Sequence, residues 1–218
     1  MRIGILGAGD MADALGTQWV RAGHEVMVSG RSPERATALA DRMGPAARAG
    51  TFAEAAAFGS ATLLAVPASA ALAVLSEAGA EEGLLGGRVL VDCTNPVVPG
   101  RFTLERRNGA SLAEEIAGTT GAHVVKAFNV CHVDVWRMRP PVFDGRPLAV
   151  PLCGDDDAAL TTVRDLVSDL GCTPIDGGGL ERAGLLEATA AFVIGLWVAS
   201  GADAQAILPP VRFAVGAD

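Results

Sequence analysis

Short apolar runs alternate along the chain with longer stretches in which apolar positions recur every three or four residues. RIGIL (2–6), EVMVS (25–29), TLLAV (62–66), RVLVD (88–92) and HVVKAF (123–128) are rich in branched aliphatics. That pattern belongs to strands buried on both faces. The stretches between them carry helix start signals. Ser32 precedes Pro33, a cap followed by proline at the first helical position, while Thr51 with Glu54 and Ser111 with Glu114 have the spacing of capping boxes. The order is βαβαβ, which predicts a parallel sheet covered by helices on both sides.

Beyond the turn-rich PPVFDGRP (140–147) the pattern resumes. LAVPLCGDDDAALTTVRDLVSDLG (148–171) predicts a strand and an amphipathic helix, and CTPIDGGGL (172–180) leads into a long apolar helix. A soft boundary near Pro140 divides a first part, 1–140, from a C-terminal part, 141–218. The later strands are also compatible with an extension of the first sheet. LLEATAAFVIGLWVASGADAQAIL (185–208) is apolar nearly all round, but Glu187 and Asp203 bracket a stretch short for a membrane span, which predicts burial.

Chemistry concentrates where the first strand meets the first helix. Gly7, Gly9 and Ala12 form G-x-G-x-x-A directly after RIGIL and directly before MADALGTQWVRAG, the context a dinucleotide fingerprint requires. Gly7 permits the tight turn, Gly9 lets a diphosphate approach the backbone, and Ala12 keeps helix and sheet close. The unpaired amides of the helix start attract the phosphates. The fold class that follows is α/β: a Rossmann-type, doubly wound, mostly parallel sheet with a small helical C-terminal part.

The end of the second strand separates the nicotinamide cofactors. NAD sites place a carboxylate there, whereas an arginine accommodates a 2′-phosphate. Here the chain supplies Ser29, Gly30, Arg31, Ser32 and Arg35, with no acid before Glu34. A guanidinium among hydroxyls at a helix mouth favours NADP(H).

Charge and cysteine usage narrow the partners. Among 218 residues, 17 basic and 25 acidic side chains give a formal net charge of -8, which disfavours a nucleic-acid or anionic membrane partner. Cys93, Cys131, Cys153 and Cys172 lie too far apart for a zinc knuckle or redox dithiol. RIGIL runs straight into glycines without a secretory leader's pattern, so the expected compartment is the cytoplasm. Asp155, Asp156 and Asp157 are adjacent and cannot converge on one ion. They read as acids complementing a helix start, and no metal site is expected.

Four stretches together resemble the NADPH-dependent F-420 reductase family: GAGDMADALGTQWVRAGHEVMVSGRSPERA (7–36), VLVDCTNP (89–96), AHVVKAFNV (122–130) and PLCGDDDAALTTVRDLVSDLGCTPIDGGGLERAGLLEATA (151–190). The resemblance implies hydride exchange between NADP(H) and coenzyme F-420, an 8-hydroxy-5-deazaflavin, as second substrate. It implies that Gly7, Gly9, Asp10 and Met11 line the diphosphate and that Arg31 and Ser32 hold the 2′-phosphate. Val66 and Pro67 would lie beside the nicotinamide ribose, Asn95 and Pro96 at the next strand end, and Asn129 to Cys131 beside the transfer site. It also implies a homodimer, with Phe192, Leu196 and Trp197 at the seam.

This chain departs from the family pattern at Ala68, where an aromatic is common, at Ala12, the third glycine's place, and at Gly30, where a serine is common and Ser29 or Ser32 would substitute. Without the aromatic wall, an imine, carbonyl or flavin is an alternative acceptor, and a non-catalytic NADPH sensor is a second alternative. Hydride transfer between stacked rings needs a dry, close approach rather than a nucleophile. Asn129 could hold a ring carbonyl or carboxamide, or simply cap the following helix. His132 could protonate an acceptor, or be structural. Arg137, Arg139 and Arg146 could meet an acidic coenzyme tail, or be solvated surface.

Overall fold

The computed structural model describes residues 1–105 and 109–202. Six parallel strands form the main sheet: β1 (Arg2–Leu6), β2 (Glu25–Ser29), β3 (Ala47–Gly50), β4 (Ala61–Leu64), β5 (Val89–Asp92) and β6 (His123–Lys126). Their order is β3-β2-β1-β4-β5-β6. The chain therefore winds outward from β1 to β3, then crosses to β4 on the other side of β1. That reversal opens a crevice at the carboxyl ends of β1 and β4, the place where a sheet of this kind receives ligands.

Helices α1 (Asp10–Arg21), α2 (Pro33–Met43), α3 (Phe52–Phe58), α4 (Ala71–Glu77) and α5 (Leu112–Thr120) connect these strands. Two buried clusters fill the layers. Ile3, Ile5, Leu15, Trp19 and Leu39 belong to one, and Leu6, Leu64, Leu75, Leu90 and Ile116 to the other. Alternation along each strand sends side chains to both layers, which is why the strand sequences are apolar almost throughout. Ser32, Thr51 and Ser111 cap α2, α3 and α5 as their spacing predicts, the last two as complete capping boxes. Strand β3 was not foreseen: ARAG has no branched aliphatic, and pairing with β2 alone makes it an edge strand.

After β6 come α6 (Val133–Arg137), a hairpin of β7 (Val142–Phe143) and β8 (Arg146–Pro147), β9 (Ala149–Leu152), α7 (Asp157–Ser168), β10 (Thr173–Asp176) and α8 (Ala183–Ser200). Strands β9 and β10 form their own two-stranded parallel sheet, joined to the main one through an isolated antiparallel bridge between Lys126 and Cys153. Asp156 caps α7 through the Ala159 amide, and Asp155 accepts from the Leu180 amide. Across the layer, Trp19 is fully buried and its indole N–H donates to the Leu166 carbonyl at 3.1 Å, tying α1 to α7.

Within one chain, helix α8 is covered along only part of its surface. Its buried residues are Ala183, Glu187, Ala190 and Ala191, while Leu185, Phe192 and Val198 are more than half exposed. Glu187 does not bracket the apolar stretch but lies inside the helix, where it is 2% exposed and ion-paired. Asp203 lies outside the described residues. By length and composition alone, Leu180–Ser200 is apolar and long enough to cross a membrane.

Candidate functional site

A cavity of about 470 Å³ opens at the crevice, walled by the β1–α1 turn, the β2–α2 turn and the end of β4. Gly7, Gly9, Arg31, Ser32, Arg35, Val66 and Pro67, all singled out in the sequence, line it together. Gly7 has φ +128°, and a Cβ there would collide with the Ala65 carbonyl. The turn thus needs glycine both for its backbone and for its contact with the strand next door. A Cβ on Gly9 would meet nothing within 4 Å, so the backbone there faces open cavity.

Helix α1 starts at that point with no side-chain cap, whereas α2, α3, α5 and α7 each have one. Its first-turn amides are left for an anion, and the helix dipole favours one. Ala12 is fully buried between α1 and the sheet. Asp10 projects outward, 81% exposed, and accepts from Arg137 at 3.1 Å, while Met11 is half-buried against the core.

Arg31 and Arg35 are exposed at the cavity rim, and neither is ion-paired among the described residues. Ser32 Oγ donates to Glu34 at 2.7 Å and accepts from the Arg35 amide at 3.2 Å, so it builds the loop that presents the two guanidiniums. Ser29 does not substitute for the family's serine: it is fully buried and its hydroxyl donates to the Ile5 carbonyl at 2.8 Å. An open backbone, an uncapped helix start and two unpartnered guanidiniums fit a dinucleotide with an additional phosphate.

The other strand ends are arranged differently. Asn95 and Asn129 pair reciprocally: Asn129 Nδ2 donates to Asn95 Oδ1 at 2.9 Å, and Asn95 Nδ2 to the Asn129 carbonyl at 2.7 Å. Asn129 Nδ2 also donates to the Leu186 carbonyl of α8 at 3.1 Å, so it does not cap α6. His132 does, its Nδ1 accepting from the Asp134 amide at 3.3 Å, with the ring 63% exposed. Neither asparagine nor His132 lines the 470 Å³ cavity. Pro96 is buried and faces a separate 420 Å³ cleft with Ser111 and Gly184.

Between β6 and Asn129 the backbone turns through Phe128 at φ +61°, an unusual conformation for a bulky residue. Edge-to-face packing against Trp19 (5.9 Å) and Trp136 (5.4 Å) holds it there. Cys131 lies partly buried nearby, its thiol pushed up to about 11 by burial, which makes it a poor nucleophile. Arg137 is engaged by Asp10 and Asp134.

Sequence reasoning missed the group directly beneath the asparagines. Lys126 is fully buried and donates to Asp92 at 2.8 Å, to the Thr94 carbonyl at 2.6 Å and to Glu187 at 3.1 Å. Burial alone would depress its pKa, but the attraction of Asp92 and Glu187 outweighs that and holds it above the ordinary lysine value. The signal was present as a charge inside an apolar strand, HVVKAF, and another inside an apolar helix. Each demands a buried partner.

Sheet, switch-point crevice and basic cavity define a dinucleotide-binding α/β protein. A family model described as NADP oxidoreductase, coenzyme F420-dependent, matches residues 2–96. A crystal structure from Arthrobacter sp. FB24, provisionally assigned as an F420-dependent NADP-reductase, superposes with a TM-score of 0.80 at 30% identity, covering 91% of this chain and 94% of that one. The chain belongs to the coenzyme F420-dependent NADP oxidoreductase family and is an NADP-dependent oxidoreductase.

Two curated relatives differ in reach. The F420-dependent NADP reductase of Methanothermobacter marburgensis is 28% identical over 212 residues, 90% of this chain and 92% of the relative. Metalloreductase STEAP3 of Rattus norvegicus is 32% identical over 200 residues, 90% of this chain, but the chain spans only 38% of that relative's length.

Proposed function

We propose that this chain exchanges hydride between NADP(H) and coenzyme F-420. The observation that carries the reading is the cavity in which the glycine turn, the uncapped start of α1 and two guanidiniums free of carboxylate partners among the described residues converge. The near end-to-end match to the M. marburgensis reductase supports the deazaflavin as second substrate.

When bound, the nicotinamide coenzyme supplies the carbon that gives or takes hydride. The chain's residues hold, orient and exclude water. Amides of Gly9, Asp10 and Met11 take the diphosphate, and Arg31 forks onto the 2′-phosphate with Arg35 beside it. Ser32 fixes that loop. Val66 and Pro67 flank the nicotinamide ribose, and the paired Asn95 and Asn129, outside the cavity wall at the next strand ends, form the floor beyond them. The half-buried Ala68 leaves room that an aromatic would fill, which favours an imine, carbonyl or flavin as second reading for the acceptor.

The exposed apolar face of α8, with Phe192, Leu196 and Trp197, would be covered by a second copy. Leu186 and Glu187 fasten the first half of that helix to the sheet, which argues against a membrane role, and the proposal places the homodimer in the cytoplasm.

Mixing the protein with NADPH and coenzyme F-420 tests the reading by loss of the deazaflavin absorbance. Turnover supports it. Oxidation of NADPH only by another acceptor replaces the substrate, and tight NADPH binding without oxidation replaces the activity with sensing.

A further inference from the structure

The buried triad does not sum to zero. Every group facing Asp92 is a donor: Oδ1 accepts from the Thr94 amide (2.8 Å) and hydroxyl (2.7 Å), and Oδ2 from Lys126. The same holds for Glu187, whose Oε1 accepts from Lys126 and the Ala113 amide and whose Oε2 accepts from the Leu112 amide at 3.3 Å. Both oxygens of each side chain are thus placed to accept, the arrangement that suits a carboxylate. Two carboxylates and one ammonium leave a surplus of one negative charge, with side chains at most 2% exposed.

The surplus sits at a defined place. Asp92 ends β5 and Lys126 ends β6, and the next polar groups up each chain are Thr94 with Asn95, and Asn129. Lys126 grips the Thr94 carbonyl, Asn95 pairs with Asn129, and Leu186, the neighbour of Glu187, holds Asn129. The charge is thus fixed under the floor that the proposed function assigns to the nicotinamide end, with Glu187 at the wall of the 420 Å³ cleft.

We propose that the Asp92–Lys126–Glu187 triad is a buried anionic post that stabilises the oxidised, cationic nicotinamide over the reduced, neutral one, with Glu187 supplying the surplus charge. Loss of hydride with its electron pair turns a neutral dihydronicotinamide into a pyridinium cation, while the deazaflavin that accepts the hydride takes a proton from solvent. A fixed negative charge nearby favours the product of that loss and pulls electrons toward the acceptor. Glu187 touches neither ring; it is a positioning residue acting through its field and through Lys126. The proposal rests on the NADP(H) reading of the cavity.

The test is calorimetric and needs no turnover: dissociation constants for NADP⁺, NADPH and 2′-phospho-ADP-ribose, which lacks nicotinamide. Glu187→Gln keeps the size and brings the triad to neutrality, although its NH₂ group must face one of the donors that Glu187 accepts from. It should weaken NADP⁺ relative to NADPH by roughly ten-fold and leave 2′-phospho-ADP-ribose unchanged.

If Glu187→Gln does not fold, Asp92→Asn neutralises the triad from the other strand and should shift the ratio in the same direction. An unchanged ratio in the neutralised variant, or equal weakening of all three ligands, overturns the proposal. Failure of 2′-phospho-ADP-ribose to bind the unaltered protein instead overturns the cofactor reading beneath it.

Discussion

The two ends of the cleft solve opposite problems. At the β2 end, Arg31 on the turn and Arg35 in the first turn of α2 stand exposed without carboxylate partners among the described residues, and the backbone of Gly9 faces open space. At the β5 and β6 ends, Lys126, Asp92, Glu187, Asn95 and Asn129 are cross-linked to one another, with all but Asn95 fully buried. The first end binds by what it leaves unsatisfied, because a phosphate completes it. The second works by cross-links already made, with Asn129 Oδ1 the one buried oxygen among these side chains that has no partner among the described residues, because a floor under two stacked rings must not move when they meet. A substitution at the first end should therefore cost affinity and little stability, and a substitution at the second should cost stability and change affinity only through the charge of the nicotinamide.

Lys126→Met is the strongest way to break that contrast. It leaves two buried carboxylates without their shared cation, and breaking a buried ion pair in this way costs about 3–5 kcal/mol. Urea unfolding should show the loss. Loss of affinity for 2′-phospho-ADP-ribose with unchanged stability would mean that the two ends are not separate devices.

The pH dependence has a definite sign. The folded lysine's pKa is raised, so its contribution is complete below the unfolded value, about 10.4, and fades as pH rises through the folded value above it. Unfolding free energy should show no loss from this group between neutrality and mildly alkaline pH, and a decline should begin only beyond that.

Arg31→Ala addresses the open end. One lost charge-assisted contact is worth about 1.5–3 kcal/mol, so NADPH should weaken by roughly ten- to a hundred-fold while NADH changes little and the melting temperature stays put. Equal losses for both coenzymes would remove the 2′-phosphate from this position.

Gly9→Ala sharpens the same point without touching a charge. The added methyl meets no protein atom within 4 Å, so the fold should tolerate it, yet it occupies the approach of the diphosphate to the backbone. NADPH binding should fall by about ten-fold, the order of one charge-assisted hydrogen bond. Unchanged binding would place the diphosphate elsewhere along α1.

The open end is local in sequence, and it was legible there: the glycines, Ala12 and Arg31 lie within 25 residues of one another, and caps at Ser32, Thr51 and Ser111 could be read from spacing. The closed end is not local. Lys126 lies 34 residues from Asp92 and 61 from Glu187, so only the sheet order brings the three together. Strand β3 escaped notice because ARAG has no side chains of strand character and is held by its neighbour. Helix α8 was expected to be buried because apolar composition reports a need for cover, and composition does not say whether the same chain supplies it.

The smallest predicted effect falls on a residue between the two ends. His132 lies three positions beyond Asn129, close enough in sequence to suggest a proton donor. Its ring is 63% exposed, and its Nδ1 caps α6 by accepting from Asp134. A capping role predicts that His132→Ala costs about 1 kcal/mol of stability and leaves the pH profile of kcat unchanged. A donor role predicts loss of the profile's alkaline limb, because only the protonated ring can deliver a proton and the variant has none to titrate. Two measurements on one variant, a melting curve and a pH profile, therefore decide whether His132 belongs to the scaffold or to the chemistry. Loss of stability alone would extend the floor's static character one turn past Asn129.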